Sequence, residues 1–126
     1  RGGMVPRRPS PMPKYVDGFL LPIPKRRLAE YERIARRAAQ VWREHGALDY
    51  RECVADDVSW GKRTSFPRSV KQAAGETVVF SYVVYKSRAH RDKVNKAVMT
   101  DQRIHELMGP DEMSFDGKRI GDSAFG

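Results

Sequence analysis

The sequence holds a single cysteine, Cys53, among 126 residues. An intrachain disulfide is therefore excluded, and with it the small scaffolds that rely on several. Long apolar runs are missing too. The longest, Val78 to Tyr85, is interrupted by Ser81, and a membrane-spanning helix needs about 18 or more such residues. No Walker loop, Rossmann glycine fingerprint, Cys-x-x-Cys pair or EF-hand spacing occurs, which removes the nucleotide, zinc and calcium sites that have local signatures. His105-Glu106 lacks the second histidine of a zinc-protease helix. The first 14 residues lack the continuous apolar stretch of an export signal. The expectation is a cytoplasmic protein with no membrane segment, no metal and no cofactor.

What is present fits one domain. Lys and Arg number 24 against 16 Asp and Glu, a formal net charge of +8. Half of that excess sits at the start, where Arg1, Arg7, Arg8 and Lys14 have no acid among them. The four prolines and two glycines of residues 1–13 sustain neither a helix nor a central strand. These residues read as an irregular arm, and residues 14–126 as a single folded domain. The charge permits nucleic-acid or membrane-surface contact without specifying either.

Periodicity divides the domain into elements. Tyr15 to Leu21 reads as a strand stopped by Pro22 and Pro24. Lys25 to His45 reads as a helix, with Leu28, Tyr31, Ile34, Ala35, Ala38, Val41, Trp42 and His45 on one arc and the charged residues opposite. Gly46 is the natural residue just past its end. Ala47 to Val54 alternates Leu48, Tyr50, Glu52 and Val54 against Asp49, Arg51 and Cys53, the pattern of a strand with one wetter face. A long connection, 56–75, precedes the clearest strand, Glu76 to Tyr85, which is apolar on both faces. Ser87 caps a helix reaching about Met99, and Asp101 opens a short one to Met108, stopped by Gly109-Pro110. Asp116-Gly117 is a turn, followed by a last strand to about Phe125.

The order β-α-β-β-α-β is that of an α+β, ferredoxin-like domain, an antiparallel four-stranded sheet with its helices on one face. The other face then presents aromatic and β-branched side chains to solvent. A surface of that kind calls for a partner, and a second copy packed face to face, a homodimer, is the expectation.

The same segments carry a family resemblance. It lies in Tyr-Val-Asp-Gly-Phe (15–19), Leu-Pro-Ile-Pro-Lys (21–25), the thirteen-residue block Gly-Ala-Leu-Asp-Tyr-Arg-Glu-Cys-Val-Ala-Asp-Asp-Val (46–58), Thr-Ser-Phe-Pro-Arg-Ser-Val (64–70) and the stretch from Glu76 to Asp92, extended by Val94-Asn95 and Phe-Asp-Gly-Lys-Arg (115–119). Through them the chain resembles the bacterial YbaA-like family, catalogued as domain of unknown function 1428, from residue 14 to about 120. The resemblance implies a ferredoxin-like fold of the dimeric α/β-barrel type and no established activity. The arm lies outside the family pattern. Where members continue through a Tyr-Gly-Gly-Phe-like segment, this chain has Gly-Asp-Ser-Ala-Phe-Gly (121–126).

Four polar residues stand among apolar neighbours on regular elements and are the candidate ligand-binding groups: Asp17, Tyr50, Glu52 and His90. His90, in the first turn of its helix, is suited to act as a base or hydrogen-bond donor, the helix dipole disfavouring its charged form. Tyr50 would orient a ligand oxygen, and Glu52 would accept a proton or hold a polar group. Each has a structural reading beside the functional one. Glu52 also fits an interface pair with an arginine, Asp-Gly within a strand also marks a bulge, and His45 and His90 also fit core or capping roles. The two helices are expected to run in the same direction, with the two histidines at opposite ends of the sheet. Cys53 reads as a buried structural thiol. The function expected is a dimeric ligand-binding or enzyme-like domain with a small-molecule ligand and no assignable reaction. The alternative is an RNA-binding protein using the basic arm and the first helix. That helix has cations on its polar arc but no aromatics interleaved with them.

Overall fold

A computed structural model describes residues 14–107 and 119–126. The proline-rich arm, the Gly109-Pro110 stop and the Asp116-Gly117 turn fall outside those residues. The elements are β1 (Tyr15–Pro24), a single 3-10 turn (Lys25–Arg27), α1 (Leu28–Glu44), β2 (Asp49–Val54), α2 (Phe66–Ser69), β3 (Glu76–Tyr85), α3 (Arg88–Met99), α4 (Gln102–Leu107) and β4 (Gly121–Phe125). The strands form one antiparallel sheet in the order β2-β3-β1-β4. With the helices packed on it, this is the ferredoxin-like arrangement. Among the described residues no helix is long and apolar enough to cross a membrane.

Register sets which side chains meet. Asp17 lies across from Val83, which lies across from Tyr50. One step along, Phe19, Ser81 and Glu52 form the next row, and Leu21, Val79 and Val54 the one after. Strand side chains alternate between faces, so these three rows all point at the helices. There Ala35, Ala38 and Val41 of α1 and Val94 and Val98 of α3 close the core. Val16, Leu20, Phe80, Tyr82 and Val84 point the other way, and Phe80 is 40% exposed. Phe66 of α2 reaches that face, its ring 6.5 Å from Phe80.

The structure departs from the sequence reading in four places. First, β1 runs through Pro22 and Pro24 instead of stopping at Leu21. The Lys25 amide donates to Gly75 O at 2.8 Å, so the amide positions of residues 21, 23 and 25 face β3, and those of Pro22 and Pro24 face the other edge. On that edge β4 pairs only with Val16–Leu20, and no ladder bond is lost. Second, a short helix, α2, interrupts the long connection. Ser65 opens it, its hydroxyl accepting from the Arg68 amide at 3.3 Å. Third, the segment ending α1 and the start of α3 are neighbours instead of lying at opposite ends of the sheet: a Cβ on Gly46 would stand 3.5 Å from His90 Nε2. Gly46 has φ +112°, a left-handed value suited to glycine. Fourth, Cys53 is exposed. Its place in β2, at the sheet edge and on the face away from the helices, leaves nothing to cover it.

Candidate functional site

A cavity of about 630 Å³ lies between the helix-facing side of the sheet and the helices. Asp17, Tyr50 and Glu52 all line it, and His90 does not. The His90 ring packs edge-on against Tyr85, a lining residue, at 5.9 Å between centroids. Its Nδ1 accepts the Lys86 amide at 2.9 Å, while Ser87 Oγ accepts the His90 amide at 3.1 Å. The histidine thus stands behind the cavity wall, occupied in fixing the turn into α3. His45 is engaged elsewhere, its Nε2 2.8 Å from Asp101 Oδ2. Among the described residues no group of three or more His, Cys, Asp and Glu side chains could hold a metal ion.

Glu52 is held by two phenols. The Tyr31 hydroxyl, from α1, donates to Oε2 at 2.9 Å, and the Tyr50 hydroxyl donates to Oε1 at 3.0 Å. Burial raises the Glu52 carboxyl above its ordinary value, and the two phenol hydrogen bonds pull against that rise. Burial and the neighbouring carboxylate push both tyrosines up as well, so the phenols keep their protons and remain donors. A second recess of about 400 Å³, on the outer side of β2, shares Tyr31, Tyr50 and Glu52. The carboxyl therefore stands in a partition between the two spaces.

Asp17 keeps regular strand register, with no bulge. It is 7% exposed and receives Arg91 Nη1 at 2.7 Å. Burial raises its carboxyl, and Arg91 offsets part of that. Arg91 is shared between two carboxylates and a ring. Its Nε donates to Asp92 at 2.7 Å and its guanidinium lies over the Tyr15 ring at 5.1 Å. Also in the lining, Asn95 Oδ1 accepts from Tyr85 OH at 3.0 Å and from Trp42 Nε1 at 3.4 Å. Met99, half exposed, marks the mouth together with the exposed Asp122 and Ala124 of β4.

Alternation along β2 is enough to put Tyr50 and Glu52 on one face, and the register of β1 and β2 against β3 brings Asp17 to the same face. Neither finds Tyr31, Arg91 or Asn95, which reach the cavity from helices by tertiary packing. Tyr31 is legible only as an apolar-arc residue with a hydroxyl to satisfy. Ser81 does leave a trace, as the one polar residue inside the longest apolar run.

A family model described as a protein of unknown function, DUF1428, matches residues 14–117. Over 107 residues the chain is 43% identical to the uncharacterized protein YbaA of Escherichia coli strain K12, an alignment covering 85% of this chain and 90% of that one. A protein of the same description from Shigella flexneri is similar to the same extent, 43% over 107 residues. Among solved structures, the de novo designed protein Foldit4 superposes with a TM-score of 0.47 at 10% identity, over 90% of this chain and 98% of that one.

Proposed function

We propose, starting from the fact that this chain belongs to the DUF1428 family, that it is a small-molecule-binding protein whose ligand occupies the cavity between sheet and helices. One observation carries the proposal: Asp17, Tyr50 and Glu52 converge on a single mostly apolar cavity of about 630 Å³. Ligand sites of roughly 300–1,000 Å³ combine apolar walls with a few polar groups in this way. Asp17, Tyr50 and Glu52 would touch the ligand, and His90 would serve indirectly by backing Tyr85. The domain is enzyme-like in one respect. A raised carboxyl such as Glu52 sits closer to working pH, where it can give and take a proton.

The protein is further proposed to act as a cytoplasmic homodimer. A free cysteine exposed at the surface suits a reducing compartment. The support for a second copy is the apolar sheet face, with Phe80 40% and Phe125 63% exposed. On that face the β1 and β3 positions Val16, Leu20, Phe80, Tyr82 and Val84 are uncharged, and at its β2 edge Asp49 and Arg51 pair with each other at 3.1 Å, so the face carries no net charge there and can meet its own two-fold copy without repulsion.

Native mass spectrometry of the protein purified from its own host tests the binding proposal. A bound species of small-molecule mass supports it. Co-purified RNA that is released as salt rises, with no small molecule, would replace it with the nucleic-acid alternative, because counterion release makes such binding steeply salt-dependent.

A further inference from the structure

The geometry points to a primary organic ammonium as the polar group of the ligand, seated against Glu52 and Ser81, with an apolar body in the cavity. This inference rests on the cavity being a ligand site and goes further by naming the chemistry that the site selects.

The first support is an unsatisfied group. Ser81 is 4% exposed, lines the cavity and stands between Phe19 and Glu52 in its row. Among the described residues its hydroxyl has no hydrogen-bond partner. Buried hydroxyls are nearly always paired, and one left free on a cavity wall is a place for a ligand atom. Serine is also the smallest side chain in that part of β3, where Val79 and Val83 flank it, so it opens the space directly beside the Glu52 carboxyl.

The second support is the balance of donors and acceptors. Each Glu52 oxygen accepts one phenol proton, and a carboxylate oxygen has a second lone pair to offer. Asp17, Glu52 and Asp122 bring three carboxyls to the lining against one cation, Arg91, which is already shared between Asp17 and Asp92. The cavity is thus an acceptor-rich space inside a chain of net charge +8. An anionic ligand meets one cationic group among the described lining residues, Arg91, and that one is already engaged by Asp17 and Asp92. An ammonium offers three donors, for Glu52, for Ser81 Oγ and for one further acceptor. The walls suit it as well. Phe19, Tyr31, Trp42 and Tyr50 line the cavity with aromatic rings, a residue type that attracts a cation and covers an apolar body.

The test uses the full chain carrying Trp60→Phe, which leaves Trp42 as the only indole. Trp60 lies outside the cavity and is 51% exposed. Trp42 emission is titrated at neutral pH with three probes of one skeleton: phenethylamine, phenethyl alcohol and phenylpropionate. The amine is expected to bind about tenfold or more tightly than either of the others, the margin of a charge-assisted contact. Glu52→Gln is expected to weaken the amine about tenfold and leave the alcohol unchanged. Ser81→Ala, which orphans no partner, is expected to weaken the amine a few-fold and serves if Glu52→Gln does not fold by circular dichroism. Equal or tighter binding of the alcohol or the carboxylate overturns the ammonium inference and leaves the cavity as a site. Amine binding indifferent to both substitutions overturns it as well. If none of the three probes alters Trp42 emission, the cavity reading falls, and this inference with it.

Discussion

At the scale of single residues, two buried carboxyls shape what the molecule tolerates. Arg91 is the charge partner of Asp17, and removing it leaves a carboxyl in a site where it is only 7% exposed. Arg91→Ala is expected to cost about 2 kcal/mol, less than for a fully buried pair because the arginine side chain keeps some solvent contact. Urea unfolding measures it, and a change below about 0.5 kcal/mol would mean that water reaches Asp17 freely. Glu52 gives a pH signature. Its carboxyl is raised in the folded state above the ordinary value of 4.5. Folding therefore takes up a proton there, and the stability this contributes is present below the ordinary value and lost as pH rises through the raised one. Glutamine cannot ionise. Glu52→Gln should accordingly compare worse with the parent at about pH 4 than at about pH 7, measured as the difference in unfolding free energy at the two pH values. The opposite trend would place the Glu52 carboxyl below its ordinary value.

At the scale of elements, caps and clasps hold the parts that the core does not. Ser87 Oγ accepts the His90 amide at the start of α3, and Ser87→Ala should cost about 1 kcal/mol, read from the thermal midpoint. Arg119 grips Glu76 with two contacts of 2.8 and 2.7 Å and also reaches Lys71 O at 2.9 Å. It thereby ties the segment entering β4 to the start of β3. Arg119 holds the Glu76 carboxyl below its ordinary value, so this clasp weakens as pH falls through that lowered value. At this scale much was legible in the sequence. β3 has the bounds that its apolar run dictates, and Ser87 opens α3 as its side chain suggests. Pro22 and Pro24 misled because proline's effect depends on which edge its nitrogen faces, and that edge is set by β4, a strand far along the chain. Tyr50 and Glu52 share a wall because alternation is local, and Asp17 reaches the same wall through strand register against β3. Tyr31 and Arg91 join them through helix packing, which no local pattern encodes.

At the scale of the whole molecule, the proposed homodimer rests on the open face of the sheet. If two copies meet there, Phe80→Lys places a charge at the centre of the contact and should convert a dimer to a monomer in light scattering at micromolar concentration. The fold should be kept, because Phe80 points away from the helices and is 40% exposed. A parent chain that is already monomeric at that concentration would refute the dimer. The cavity lies on the opposite side of the sheet, so Phe80→Lys should leave Trp42 emission unchanged. Association and ligand binding can thus be measured independently.

The central position of β1 also carries a consequence for how the chain is made. Its pairing partners in β3 follow it by roughly 50–70 residues, and those in β4 come later still. At the ordinary pace of about 5–20 residues per second, β1 waits several seconds after leaving the ribosome for either neighbour. During that interval the apolar segment from Phe19 to Ile23 has only α1, translated directly after it, as cover. Hydrophobic contact between β1 and α1 is therefore the earliest tertiary contact available to this sheet. Leu21, Ile23, Tyr31 and Ala35, already grouped in one cluster of the finished core, are the side chains that would form it.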